Sequence, residues 1–429
     1  MENLVSTLDR VAKDVRVILD RALEGRELTV AEGTRLAECR GRDLHALTLV
    51  ADELRRRHVG DTVTYVVNRN INFTNVCIKH CTFCAFSRDH REEEAYLLPL
   101  EEMVHRAQEA WDLGATEVCI QAGLAPKLPG TYYIDLCRAL KQVLPDMHLH
   151  AFSPEEVLYG SVRSGLSIRD YLLELKAAGI GTLPGTSAEI LDDEIREAIS
   201  KGRISTRQWI EVISTAHALG IQTTSTIMFG HVESPAHWVR HMDLLRSIQR
   251  ETGGFTEFVP LSFVHQEAPM WRRGLAPGMR PGATGDEVVK VHALARLLLG
   301  PTVKNVQASW VKEGPKLAQY LLDCGANDLG GTLMNESIST SAGAPHGQLV
   351  PPAELRRMIR AAGRTPAQRT TTYDVLKRHE DEDEESPLDR IEDAEAQFGS
   401  YRTLTRSAQF RFVHAANQGD RSLLPITRC

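Results

Sequence analysis

Four joints along this chain repeat one pattern: an apolar helical stretch, a glycine, then a run of β-favouring residues. They begin at Trp111 (WDLGATEVCIQAG), Leu175 (LKAAGIGTLPG), His217 (HALGIQTTSTIMFG) and Leu321 (LLDCGANDLGG). Glycine at a helix C-terminus supplies the left-handed residue that most side chains resist. A strand directly after it means that helix and strand alternate. Counting such runs gives eight strand candidates, near 66–73, 116–121, 147–152, 180–184, 221–228, 255–262, 302–308 and 326–330. Eight β/α units over roughly 270 residues predict an α/β fold, a (β/α)8 TIM-type barrel of parallel strands. A doubly wound open sheet is the alternative. It is weakened because no Gly-x-Gly-x-x-Gly follows the first strand.

Residues 1–60 read as an N-terminal helical segment, with Leu4, Leu8, Val11, Val15 and Leu19 at spacings of three and four. Residues 61–372 form the barrel unit. Residues 373–429 are an acidic C-terminal extension, whose block HEDEDEESPLDRIEDAEA predicts a solvated or disordered segment. With 57 acids against 50 bases, the net charge of −7 offers no basic surface for nucleic acid. No apolar run reaches the length of a membrane span. The first helix carries both charge signs, unlike a signal peptide. These features predict a cytoplasmic protein that binds neither nucleic acid nor membrane.

Cys77, Cys81 and Cys84 sit in NINFTNVCIKHCTFCAF at the spacing C-x3-C-x2-C. A closed structural metal site uses four protein ligands. Three thiolates on a cubane cluster leave one iron open, and an open metal position is where chemistry occurs. Lys79, His80 and Thr82 interrupt the triplet and argue against incidental core cysteines. A zinc knuckle with a distant fourth ligand is the competing reading. His80 adjoins Cys81, an awkward place for that ligand. The triplet therefore predicts an iron–sulfur cluster that offers an iron to a small molecule. Cys39, Cys119, Cys137, Cys324 and Cys429 are scattered, and Cys119 falls in an apolar strand pattern.

Barrel enzymes build their sites from the loops that follow the strands. The cysteine loop follows the first strand. Other strand ends bring Gln121-Ala122-Gly123, Phe152-Ser153, Thr186-Ser187 with Glu189, Gly230-His231-Val232-Glu233, Ser262 and His265, Ser309-Trp310, and Thr332 with Asn335-Glu336. Polar groups from several strands thus converge on one mouth.

The triplet, with Phe83 just before its third cysteine, resembles the radical S-adenosylmethionine (SAM) superfamily. The resemblance implies that Cys77, Cys81 and Cys84 hold a [4Fe-4S] cluster, with Phe83 beside it. SAM chelates the open iron, and its one-electron cleavage yields a 5′-deoxyadenosyl radical. A wider set of segments resembles the tyrosine-using subunits of deazaflavin (FO) synthase. These are NRNINFTNVC, HLHAFSPEEV, LPGTSAEILDDEIR, STIMFGHVESPAHWVRH, RETGGFTEFVPLSFVH, GTLMNESIS and AGRTPAQRTT. This narrower resemblance implies that L-tyrosine loses its Cα–Cβ bond. Its 4-hydroxybenzyl group then joins 5-amino-6-(D-ribitylamino)uracil, and 2-iminoacetate leaves. It also implies a reductant such as ferredoxin or flavodoxin, and the ring-closing FO synthase subunit as a partner. The nearest rival is an aminofutalosine synthase-like enzyme of menaquinone assembly. A reading from another class is an electron carrier or zinc-binding interaction protein, which would need a fourth ligand.

Within the family reading, Gln121 and Gly123 face SAM. Ser187 and Glu189 bind its ribose or methionyl end, or else Glu189 caps the next helix, since TSAE is like a capping box. His231 with Glu233 is either a substrate-side pair or a structural histidine–carboxylate pair. His265 is either the base for tyrosine or a loop residue. Glu336 is a third catalytic candidate, and with Asn335 it reads ribityl hydroxyls or the tyrosine amino group. Ser262 faces substrate. Trp310 stacks on a ring or packs. One departure stands out: Ala122 and Ala125 occupy positions where the family pattern is Gln-Gly-Gly-Ile-His-Pro.

Overall fold

The computed structural model describes residues 2–380 and 385–412. At the four joints Gly114, Gly179, Gly220 and Gly325 have φ of 89°, 96°, 74° and 102°, the left-handed turn the sequence asked for. The strands are β1 (Thr62–Val66), β2 (Asn68–Ile71), β3 (Glu117–Ile120), β4 (His148–Ala151), β5 (Thr223–Phe229), β6 (Phe255–Ser262), β7 (Asp328–Gly331), β8 (Thr365–Arg369) and β9 (Val375–Arg378). Only Val67 separates β1 from β2, so the two act as one stave.

Parallel ladders join β2 to β3, β3 to β4, β5 to β6, and β1 to β7. Single parallel bridges carry the pairing elsewhere: His150 with Thr182, Leu183 with Thr223, Phe258 with Val306, and Gln307 with Asp328. The expected strands near 180–184 and 302–308 thus contribute bridges and no ladder. Near 180–184 the cause is local. Pro184 has no N–H to give, and Gly181 lies so close to the His148 ring that a Cβ there would meet it at 2.5 Å.

The β8–β9 hairpin was not expected from the strand count. β8 pairs in parallel with β1, opposite to β7, and β9 runs antiparallel to β8. A buried polar network fills the N-terminal end of the staves beside it. Arg369 donates to both carboxylate oxygens of Asp328, at 2.6 and 3.0 Å. The Tyr373 hydroxyl donates to Glu257 at 2.5 Å. Glu117 accepts from Asn68 at 2.8 Å and from Thr371 at 2.7 Å. Buried charges survive only when paired in this way.

Helices Glu2–Leu8, Lys13–Leu23, Val30–Ala37 and Gly41–Val59 form the N-terminal segment. They pack against Pro235–Thr252 and Gly285–Leu299. No helix among the described residues is long and apolar enough to cross a membrane.

Residues 385–412 differ from the expected solvated or disordered extension. Leu388, Phe398, Tyr401 and Leu404 are buried. The Leu97 amide donates to Phe410 O at 2.9 Å, and the Phe412 amide to Ala95 O at 2.7 Å. The acids dominate the composition, but these apolar residues interrupt them and bury. Residues 381–384, the centre of the acidic block, lie outside the described residues, as do 413–429 with Cys429.

Candidate active site

The cysteine loop is tied on both sides by backbone and side chains. Within it, Asn75 accepts from the Tyr96 amide at 3.0 Å and donates to Glu94 O at 2.9 Å. The Cys77 amide donates to Arg88 O at 3.1 Å, and the Ile78 amide to Leu124 O at 3.0 Å. Thr82 donates to Ile199 O through both its amide and its hydroxyl, at 3.0 and 2.8 Å. From the tail, the Tyr401 ring stands 5.5 Å from Phe86 and lies under the Arg88 guanidinium.

Cys77, Cys81, Phe83 and Cys84 line one cavity at the mouth of the staves. The three cysteines are free of disulfides. Burial pushes the thiols of Cys81 and Cys84 up. Among the described residues, no group of three or more His, Cys, Asp or Glu is arranged to hold a single metal ion. A cubane cluster is larger than an ion and holds its thiolates farther apart. The triplet, free of disulfides and lining a cavity, fits that larger group, and Cys77, Cys81 and Cys84 are the residues that would hold it.

Gln121 and Gly123 line the same cavity. Gln121 accepts from the Thr186 hydroxyl at 2.8 Å. Gly123 is glycine because the loop leaves no room: a Cβ would stand 2.3 Å from Val76 O. Its amide also donates to Thr74 O at 2.9 Å. Ala122 has no positive φ, so alanine there carries no backbone strain. Ala125 is buried, and its carbonyl accepts from Tyr159 at 2.7 Å.

Ser187 and Glu189 also face the cavity, each with positive φ (61° and 40°). Glu189 does not cap the next helix, since Asp192 does so. Glu189 instead accepts from Arg203 at 2.9 Å and from Arg196 at 3.1 Å. Ser187 Oγ accepts from Arg203 at 2.5 Å. Glu155 completes the cluster, 3.3 Å from Arg203 and 3.0 Å from Lys79. Burial works against its charge, yet Arg203, the Ile204 amide and Lys79 together hold its carboxyl below the usual range. Arg203, Glu155, Lys79 and Lys312 line the cavity and were not among the expected site residues. Nothing in their local spacing marks them; the fold brings them together.

Ser262 lines the cavity, and its amide donates to Glu313 at 3.3 Å. The remaining candidates do not line it. His231 is fully buried, and its Nε2 bonds Met228 O at 3.0 Å. Its Nδ1 lies 3.2 Å from Glu233 but is too poorly aligned for a hydrogen bond. Burial pushes the His231 ring down. Glu233 accepts from the His231 amide, Trp238 and Arg280 at 2.8, 2.9 and 2.8 Å. The pair therefore closes the turn after β5. His265 sits in a loop, its ring 5.0 Å from Trp271. Glu336 accepts from the Ser339 amide at 2.9 and 3.0 Å. Asn335, at φ 59°, donates to Phe398 O and Gly399 O of the tail. Trp310 is fully buried and donates to Gly331 O at 2.9 Å, a packing role.

Residues 71–245 match the Radical SAM superfamily, and residues 252–382 match the CofH/MqnC C-terminal region. The "5-amino-6-(D-ribitylamino)uracil--L-tyrosine 4-hydroxyphenyl transferase" of Methanothermobacter thermautotrophicus is 51% identical, over 83% of this chain and 96% of that protein. The "FO synthase" of Streptomyces avermitilis is 51% identical over 85% of this chain, which spans 42% of the synthase. The crystal structure of HydG, a maturase of the [FeFe]-hydrogenase, superposes with a TM-score of 0.65 at 17% identity, covering 87% of this chain and 80% of HydG. That likeness speaks for the fold alone. With this identity and coverage, the chain belongs to the tyrosine 4-hydroxyphenyl transferase family of the Radical SAM superfamily.

Proposed function

We propose that this protein transfers the 4-hydroxybenzyl group of L-tyrosine to 5-amino-6-(D-ribitylamino)uracil, in deazaflavin coenzyme biosynthesis. The observation that carries the reading is the 51% identity to a transferase so named, over 96% of its length. The cavity supports it. Three cysteines occupy one wall, and a fixed polar cluster of Ser187, Glu189, Glu155 and Arg203 also lines it. Bound there, the cluster and SAM supply the radical that abstracts hydrogen from tyrosine.

The chain's own residues position, exclude water and balance charge. Arg203 holds Ser187 and Glu189 ready for the hydroxyls or amino group of SAM. Gln121, fixed by Thr186, presents its amide nearby. The apolar residues Leu261, Phe263, Val264 and Ile338 enclose space for an aromatic ring and keep water from the radical. We infer that the staves close into a barrel, which the bridges at Thr182, Leu183, Val306 and Gln307 favour. The chain spans about two-fifths of the FO synthases it matches. The ring-closing FO synthase subunit is proposed as a partner. The electron would come from a ferredoxin or flavodoxin in the cytoplasm.

The test is anaerobic. The reconstituted protein is given SAM, dithionite, L-tyrosine and the ribitylaminouracil, and products are read by mass spectrometry. A tyrosine-derived adduct forming with 5′-deoxyadenosine is the expected result. Deoxyadenosine without adduct would move the substrate assignment to the menaquinone-pathway rival.

A further inference from the structure

Most charged side chains in the cavity wall are spoken for. Lys79 bonds Glu155 at 3.0 Å and Gly202 O at 2.8 Å. Arg203 is shared among Glu155, Glu189 and Ser187. Glu156 closes a capping box with Ser153 and accepts from the Ala122 amide at 3.1 Å. Lys312 is the exception. It lines the cavity, yet among the described residues no hydrogen bond or ion pair reaches its ammonium. Burial pulls its pKa down, opposed by the more distant charges of Glu336 and Glu313. Lys312 is only partly buried, so its ammonium faces the cavity with no bond of its own and with room for an anion.

The lysine is also held in place. It belongs to the short turn Trp310–Glu313. Trp310 fastens that turn to Gly331 O at 2.9 Å, and Glu313 fastens it to the Ser262 amide at 3.3 Å. The Arg203 cluster is built from the segments after β4 and before β5, whereas this turn lies between β6 and β7. Leu261, Phe263, Val264 and Ile338 join Lys312 in the lining. One free cation with apolar wall suits an aromatic amino acid: a carboxylate at one end, a ring at the other. Ribitylaminouracil carries no carboxylate.

We propose that Lys312 binds the α-carboxylate of the amino-acid substrate and so selects tyrosine over its decarboxylated analogue. The inference rests on the tyrosine reading given above. SAM carries the same chemical group, and the test separates the two sources.

Reconstituted protein with SAM but no reductant is titrated calorimetrically with L-tyrosine and with tyramine. The wild type is expected to favour L-tyrosine. Lys312→Met is expected to weaken L-tyrosine binding roughly 10- to 100-fold, the range of one charge-assisted bond, while tyramine changes by less than about threefold. Lys312→Arg should recover part of the loss. Unchanged tyrosine affinity in a folded Lys312→Met variant overturns the assignment and leaves the tyrosine reading standing. A loss confined to SAM affinity also overturns it, giving the lysine to the cofactor. If the methionine variant does not fold, the wild-type comparison decides, since equal affinity for tyrosine and tyramine refutes a carboxylate contact. Wild-type protein that binds SAM but neither amine sinks the tyrosine reading itself, and this inference with it.

Discussion

Gly123 and the Val76 carbonyl are in such close contact that a Cβ on the glycine would lie 2.3 Å from the oxygen. Val76 immediately precedes the first cysteine of the triplet, so the glycine sets where that loop can rest. Gly123→Ala should push the loop outward. The expected result is reduced iron and sulfide per chain after reconstitution, with at least about a tenfold fall in SAM cleavage. Full iron content in the variant would show that the loop can shift at no cost.

The triplet should be separable from the other cysteines. Cys77→Ala, Cys81→Ala and Cys84→Ala should each abolish SAM cleavage and lower bound iron. Cys137 is buried, away from the cavity lining, with its thiol pushed up to about 12 by burial. Cys137→Ser is therefore expected to keep its iron. Elemental analysis and visible absorbance of the four proteins decide the matter. Equal iron in all of them would end the cluster assignment.

Arg203 compensates two buried carboxylates at once, Glu189 and Glu155. Stripping a buried charge of its partner typically costs roughly 3–5 kcal/mol, and here the cost is smaller because Glu189 keeps Arg196 and Glu155 keeps Lys79. Arg203→Met should therefore lower the melting temperature clearly, and Arg203→Met with Glu189→Gln should recover part of the loss. An unchanged melting curve for the single variant would mean that water replaces the guanidinium.

Acid should destabilise the protein before it reaches carboxylate pKa values. Burial pushes His150, His217, His241 and His292 each down to about 4. His241 shows why: its Nδ1 accepts from the Leu191 amide at 3.0 Å while its Nε2 bonds Thr226 O at 2.9 Å, so the neutral ring is fully used. As pH falls below the ordinary histidine value of about 6.5, the unfolded chain takes up protons that the folded one refuses. Stability is thus lost between about pH 6.5 and 4. Burial raises Glu156 and Glu257 to about 7, which acts oppositely: their contribution is present below the ordinary glutamate value and is lost as pH rises through 7. Four histidines outweigh two glutamates, so the melting temperature should fall from pH 7 to pH 5. A rise over that interval would contradict the burial of these rings.

The tail should depend on Asn335. Asn335→Gly keeps the positive φ available but deletes the donor to Phe398 O and Gly399 O. Hydrogen exchange across 394–412 is expected to quicken, with the strands unchanged. Identical exchange would show that Tyr401 and Leu404 hold the segment unaided.

The joints were legible because glycine at a helix end has one physical reason, and the cysteines because ligand spacing is a local code. The first stave, the strands at 117–120, 148–151 and 223–229, and the cavity positions of Phe83, Gln121, Gly123, Ser187, Glu189 and Ser262 were within reach of that reading. His231, Glu233, Asn335 and Glu336 do not line the cavity, because a polar residue after a strand can close turns with the same atoms it would offer a substrate. Arg203 and Lys312 stayed hidden for the opposite reason. Arg203 lies apart in sequence from the groups it bonds, and neither residue carries a local pattern. The β8–β9 hairpin was missed where Pro366 interrupts a short run and reads as a turn.

The network of Arg369, Asp328, Glu257 and Tyr373 has a consequence for how the strands hold together. It clamps β6, β7 and the end of β8 to one another through side chains, at the ends of β6 and β7 where their chains enter the sheet. Three strands distant in sequence thereby answer to one guanidinium, and a change at Arg369 is felt by all of them at once.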